Sequence, residues 1–257
     1  DVCSKSNIAA GENGSNDGLD AYQDVLKNFS SSICELRADV SKAWTKQNIT
    51  DSINANVKRL SRFDSNLSAF SSITSPSQLP KNPSGVFVKV GGDLTIGNGL
   101  QDYVIGKESD VRAAQTYIVI GGNLRIKSNI VYDNNLDFIT TFDKSRIASA
   151  AFIVIGGNIE IDDTVDQIDG IIMAVEDSKG NGGKIVSTGD RSTDTTILNI
   201  NGSLIGDVYN LFKNRQFAGN PLKDEGSVNI HYDERILLNP PAGINELINL
   251  QQVVVPN

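Results

Sequence analysis

Apolar residues recur every three or four positions from Leu19 onward: Leu19, Tyr22, Leu26, Phe29, Ile33, Leu36, Val40 and Trp44. That spacing predicts an amphipathic helix of about seven turns, with Asp17 or Asp20 placed to cap its start. The period resumes at Ile53, Val57, Leu60, Phe63, Leu67 and Phe70, so residues 18–72 read as a helical hairpin with one face of each arm to bury. The Gly/Asn/Ser-rich residues 1–17 before it read as a flexible leader. Three prolines (Pro76, Pro80 and Pro83) make 73–85 a linker that ends the helical region.

Beyond the linker the period changes to two. Four segments align without gaps: Val86–Gly97, Thr116–Lys127, Ala151–Asp162 and Thr196–Asp207. In the first strand of each copy, Val88, Ile118, Ile153 and Leu198 are aliphatic, as are Val90, Ile120, Ile155 and Ile200. Shared parity predicts that both columns face inward. The column between them, Lys89, Val119, Val154 and Asn199, admits charge and is expected to face out. Gly92, Gly122, Gly157 and Gly202 are common to all copies and predict a corner with positive φ or close backbone approach. After the corner, Leu94, Leu124, Ile159 and Leu204 are expected inside, with Thr95, Arg125, Glu160 and Ile205 outside. Segments 170–175 and 184–187 read as further strands in the longest interval.

The copies are separated by 30, 35 and 45 residues, from Val86 to Thr116, Ala151 and Thr196. Unequal spacing around a constant corner suits stacked circuits whose insertions collect on one edge, and tight hairpin signals are sparse. The expected fold is mainly β: a parallel β-helix (β-solenoid) over 86–238 behind an N-terminal helical hairpin. A β-sandwich is the alternative. Residues 239–257 form a closing and extended tail, ending in the apolar run Val253-Val-Val255.

Charge narrows the partners. The net charge is −8 and no Lys/Arg run occurs, so the basic footprint that nucleic acid requires is missing. No apolar stretch approaches the roughly 20 residues needed to span a bilayer. The chain opens at Asp1 rather than Met, as expected of a processed or shortened form. Cys3 and Cys34, an even pair, are expected to form a disulfide in an oxidising compartment, tying the leader to the first helix. Sequons occur at Asn13, Asn28, Asn48, Asn66 and Asn201.

The repeats Gly156-Gly-Asn-Ile-Glu-Ile161 and Asn201-Gly-Ser-Leu-Ile205 precede the tail His231-Tyr-Asp-Glu-Arg-Ile-Leu-Leu-Asn-Pro-Pro-Ala-Gly243. This ordered set, over about residues 84–245, resembles a group of bacterial extracellular proteins with GGNIxI solenoid repeats, an NGSL segment and a YDxRxLxNPPxG ending. The resemblance implies a cell-surface or pilus-associated location without catalysis. The GG-[DN]-[LI] turns are also similar to those of polymer-forming bacterial solenoids of the bactofilin kind.

Candidate chemistry is sparse. His231 is the only histidine, which rules out a His-rich metal site within one chain, and its place in a strand predicts packing. Glu160, Asp162, Asp163, Asp166 and Asp169 are the carboxylates that could gather around Ca2+, with Asp162, Asp163 and Asp166 the core of that candidate. The competing expectation is turn capping, since Asp closes local turns and the EF-hand spacing is absent. Phe87, Tyr117 and Phe152 share the outward parity, and an exposed ladder of rings could stack sugars. Cover by the apolar stripes of the two helices is the competing reading. The sequence therefore predicts a non-catalytic extracellular structural or assembly subunit, self-associating or joining other surface or pilus subunits. A polysaccharide-binding adhesin is the alternative, and a polysaccharide-degrading enzyme comes last.

Overall fold

The computed structural model describes residues 67–107, 112–133, 144–188, 197–215 and 228–244. In chain order its strands are β1 (Ser72–Ile73), β2 (Val86–Val90), β3 (Leu94–Ile96), β4 (Tyr103–Ile105), β5 (Ala114–Ile120), β6 (Leu124–Ile126) and β7 (Ile130–Tyr132). β8 (Ser149–Ile155), β9 (Ile159–Ile161), β10 (Gln167–Val175), β11 (Ile185–Ser187), β12 (Leu198–Ile205) and β13 (Val228–His231) follow. Two short helices, α1 (Tyr209–Asn214) and α2 (Arg235–Leu238), lie near the end. The strands form two sheets. The smaller has the order β1-β3-β6-β9-β11, and the larger runs β13-β12-β10-β8-β5-β2 with β4 and β7 attached through β10. Every pairing between named strands is parallel. Parallel neighbours cannot be joined by a hairpin. From β2 to β12 the chain passes through the smaller sheet between one strand of the large sheet and its neighbour.

The first three repeat copies pair in the register of their alignment. Val86 lies opposite Thr116 and Thr116 opposite Ala151, while Leu94, Leu124 and Ile159 line up in the small sheet. The fourth copy does not take the next place. Ile171 to Val175 of β10 pair with Ala151 to Ile155, and β11 follows β9, so the segments 170–175 and 184–187 supply the fourth level. The described part of the fourth copy, 197–207, is displaced. Its Leu198 to Asn201 pair with Val228 to His231, and Gly202 lies opposite Gly170 in mid-strand. Gly202, read as a corner between strands, is thus inside β12.

The interior corrects one parity. Leu94, Leu124 and Ile159 point inward as expected. In the preceding strands, however, the buried core contains Phe87, Tyr117, Val119, Phe152 and Val154, whereas Val88, Ile118 and Ile153 lie on the opposite face. Lys89 shares the inward side, nearly buried, and its Nζ donates to the carbonyl of Phe70 at 2.7 Å. Val90, expected inside, is 60% exposed. The cause is the corner. Gly91 and Gly92 have φ of 72° and 74°, which turns the chain and moves the inward parity by one residue.

The two edges of the larger sheet differ. At the beginning, the amide of Leu67 donates to Val88 at 2.8 Å across the edge of β2, and Leu67 and Ile73 are fully buried. Residues 67–73 are turn and strand, which corrects the expected helical extent at its last residues. The linker holds a 3-10 turn at Pro76–Gln78. The hairpin over 18–66 lies outside the described residues. After β13 the chain turns back along the body: Asn239 Nδ2 donates to Ile147 O at 2.7 Å, and Thr116 Oγ1 to Ala242 O at 2.6 Å. That segment, expected to close the last edge, returns to β5 instead. Among the described residues no helix is long and apolar enough to cross a membrane.

Candidate functional site

The ring column, the acidic segment and the last strand were the candidates for chemistry within the described residues, with the structural corners beside them. In the ring column, Phe87 and Tyr117 stack with centroids 5.4 Å apart, and Tyr117 and Phe152 at 5.1 Å with planes 10° from parallel. All three are fully buried. Equivalent positions of in-register parallel strands stand one above another, so their rings meet face to face. Tyr103 meets Tyr117 edge-on at 6.3 Å, and their hydroxyls lie 2.9 Å apart. The Tyr117 hydroxyl donates to Gln115 Oε1. Burial drives Tyr103, Tyr117 and Tyr132 above the ordinary phenol value, aided at Tyr117 by its neighbour Tyr103. The ladder expected to face out, where it could stack sugars, is interior packing.

The corners carry an amide ladder beside the glycines. Asp93 Oδ1 accepts from the Asn123 amide at 2.9 Å, and Asn123 Oδ1 from the Asn158 amide at 2.9 Å. Asn158 Oδ1 accepts from the Lys184 amide at 3.2 Å. A turned backbone leaves amides with no strand partner, and the Asx side chain at the level before supplies the acceptor. Outside this ladder Arg125 pairs with Glu160 at 2.8 Å and with Asp93 at 3.1 Å. The hydrogen bond and charge of Glu160, then the charge of Asp93, hold its guanidinium above the usual value. The repeated Gly-Gly-[Asp/Asn] was the available signal for the ladder.

The acidic segment is spread over separate tasks. Glu160 faces out beside Arg125, while Asp162 Oδ1 accepts from both the amide and hydroxyl of Thr164, at 3.2 and 2.8 Å. Burial pushes the Asp162 carboxyl up, but the Thr164 and Asp163 hydrogen bonds and the Lys127 charge outweigh it and leave it below the ordinary range. The Asp166 amide donates to Asn129 Oδ1 at 2.9 Å. Asp169 is buried and accepts from the Tyr132 amide, Gln167 Nε2 and Asn201 Nδ2, at 2.9, 2.9 and 2.8 Å. Among the described residues no three His, Cys, Asp or Glu side chains stand where they could hold a metal together, Asp162, Asp163 and Asp166 included. Cys3 and Cys34 lie outside the described residues.

Among the described residues two cations are buried that the sequence reading did not place inside. Lys89 is one. Arg215, fully buried at the end of α1, donates to the carbonyls of Asp162 and Val165 at 2.6 and 2.8 Å and to Ser187 Oγ at 3.2 Å. It ties α1 to the turn after β9 and to β11, and no sequence periodicity marks it.

His231, expected to pack, is exposed on β13. Ile230, Tyr232, Leu237 and Leu238 are exposed beside it in sequence. β13 pairs with β12 on one side, and among the described residues no strand pairs on its other side. This edge is where the described surface combines unpaired backbone with large apolar side chains. Comparison of the chain with family models, with curated proteins and with solved structures gave no match.

Proposed function

We propose that this chain is a non-catalytic structural or assembly subunit of a bacterial cell-surface structure, built on a parallel β-helix. The observation that carries the reading is the use made of its distinctive side chains. The rings fill the interior, the Asx residues satisfy corner amides, and Arg215 and Asp169 serve backbone and amide groups. That economy suits a scaffold, and it removes the exposed ring platform on which an adhesin reading rested. The repeat and tail motifs, through their resemblance to extracellular and pilus-associated solenoids, support the location. An oxidised Cys3–Cys34 pair in the mature protein would agree with it, read by mass spectrometry of unreduced peptides.

The deciding experiment combines sedimentation and electron microscopy of the purified chain with retention on immobilised polysaccharides. Self-association without retention is the expected outcome. A chain that stays monomeric at all concentrations and is retained on a polysaccharide would replace the scaffold with the adhesin.

A further inference from the structure

We propose that the chain forms a closed two-fold dimer through β13, the two copies of that strand running antiparallel with Ile230 opposite Ile230. The inference deepens the assembly reading above and rests on it.

β13 ends a ladder that the rest of the molecule completes. Leu198 and Ile200 of β12 are fully buried, and their partners one level on are Val228 at 9% exposure and Ile230 at 47%. Exposure rises because nothing described lies beyond the strand. Its outer edge therefore offers backbone donors and acceptors together with an unfinished apolar column, and the chemistry that satisfies both is another strand.

Charge points to the occupant. The stretch from Val228 to Tyr232 contains no Asp, Glu, Lys or Arg, in a chain of net charge −8. Soluble proteins commonly guard an open edge with charge, above all lysine. This edge carries no such guard, and two copies brought together here oppose no like charges.

Register selects the geometry. Side chains alternate along a strand, so Val228 and Ile230 share one side and Asn229 and His231 the other, and Tyr232 directly follows the strand. Centring an antiparallel pair on Ile230 sets Val228 against Tyr232 of the second copy and Asn229 against His231. Apolar then meets apolar on the inner side and polar meets polar outside. A shift of one residue breaks that match.

Closure of the opposite end decides against an open filament by this route. A head-to-tail stack needs a free edge at both ends, and Leu67 already donates to Val88 across the edge of β2. Two β13 edges are equivalent and satisfy each other.

The test is sedimentation equilibrium on the full chain. Ile230→Lys and Tyr232→Lys should each weaken dimerisation at least ten-fold, while Ile230→Val leaves it within about three-fold. Circular dichroism identical to the parent certifies the fold, and both side chains are exposed enough to be replaced. In a separate arm, Ile230→Cys should yield on oxidation a dimer in which the peptide containing position 230 is linked to its own copy. Leu100→Cys, at an 85% exposed position, should not. Oligomers indifferent to every position-230 and position-232 variant would overturn the β13 dimer and leave the assembly reading standing. A parent chain monomeric at every concentration would overturn both. Dimers lost on Val253→Lys with Val255→Lys, yet indifferent to Ile230→Lys, would assign the contact to the tail and overturn β13 as the interface.

Discussion

A methyl group on Gly157 would lie 2.0 Å from the carbonyl oxygen of Gly122, and one on Gly122 at 2.0 Å from that of Gly92. Gly121 has the opposite constraint: open space around its Cβ position but φ of 69°. Gly157→Ala must displace a backbone strand, whereas Gly121→Ala meets only left-handed strain of about 1–2 kcal/mol. We expect Gly157→Ala to cost about 3 kcal/mol or more. Urea melts of the two variants check the order, and equal losses would contradict the stacked corners. Titration adds a second outcome. Tyr103, Tyr117 and Tyr132 stay neutral in the folded chain above the ordinary value of 10.0, where the unfolded chain ionises. The folded state then binds more protons, so stability present below pH 10 falls as pH rises, with a limiting slope of up to about 4 kcal/mol per pH unit for three groups. Unfolding free energies between pH 9 and 11.5 measure it. Tyr117→Phe should make the slope shallower. At this scale the sequence was least legible. A lysine inside a strand reads as a solvent-facing position, yet the Lys89 stem lies along the core and its ammonium reaches the Phe70 carbonyl.

Strands buried on both faces explain the misread parity. Ala-Gln-Thr-Tyr-Ile-Val-Ile in β5 is buried at its first six positions, so alternation gives no sign of which side is inner. The short strands β3, β6 and β9 have one exposed or half-buried middle residue each, and there the sequence reading was right. A continuous count through a glycine corner fails because positive φ resets the phase. The fourth copy failed for another reason: Gly202 lies in mid-strand opposite Gly170, where an added Cβ would lie 1.9 Å from the Gly170 carbonyl oxygen, so the glycine serves close strand approach rather than a corner. The Gly-Gly-Asx triplet was the dependable signal. Asn123 is its most connected member, accepting from the Asn158 amide and donating through Nδ2 to Glu160 Oε1 at 3.1 Å. Asn123→Ala leaves an amide unpaired and should cost about 1–3 kcal/mol. Asn98→Ala, whose side chain serves only the exposed Leu100 amide, should cost less than about 1 kcal/mol. Thermal melts of the two variants compare them directly.

Across the whole molecule, the order of strands sets a gradient of protection. β5 and β8 lie inside the large sheet with parallel partners on both sides and the ring column beneath them. Among the described residues, β13 lies at its edge with one partner and exposed side chains. A sheet opens from its edges, because an edge strand breaks one interface where an inner strand breaks two. Amides of Ile118, Val119, Ile153 and Val154 should therefore exchange slowest, close to the limit set by global unfolding. Those of Asn229, Ile230 and His231 should exchange fastest among the strands. The β2 edge should resist opening better than the β13 edge, since Leu67 and Ile73 are buried there and Leu67 bonds across β2. Dimerisation adds a signature that a fixed gradient lacks. An edge satisfied by a second copy gains protection with concentration, and it follows mass action. Hydrogen exchange followed by mass spectrometry at two protein concentrations a hundred-fold apart separates the cases. Protection at 228–232 that grows with concentration, while β5 and β8 do not change, is the expected outcome. Protection there that is constant and as high as in β5 would mean that this edge is already covered within one chain.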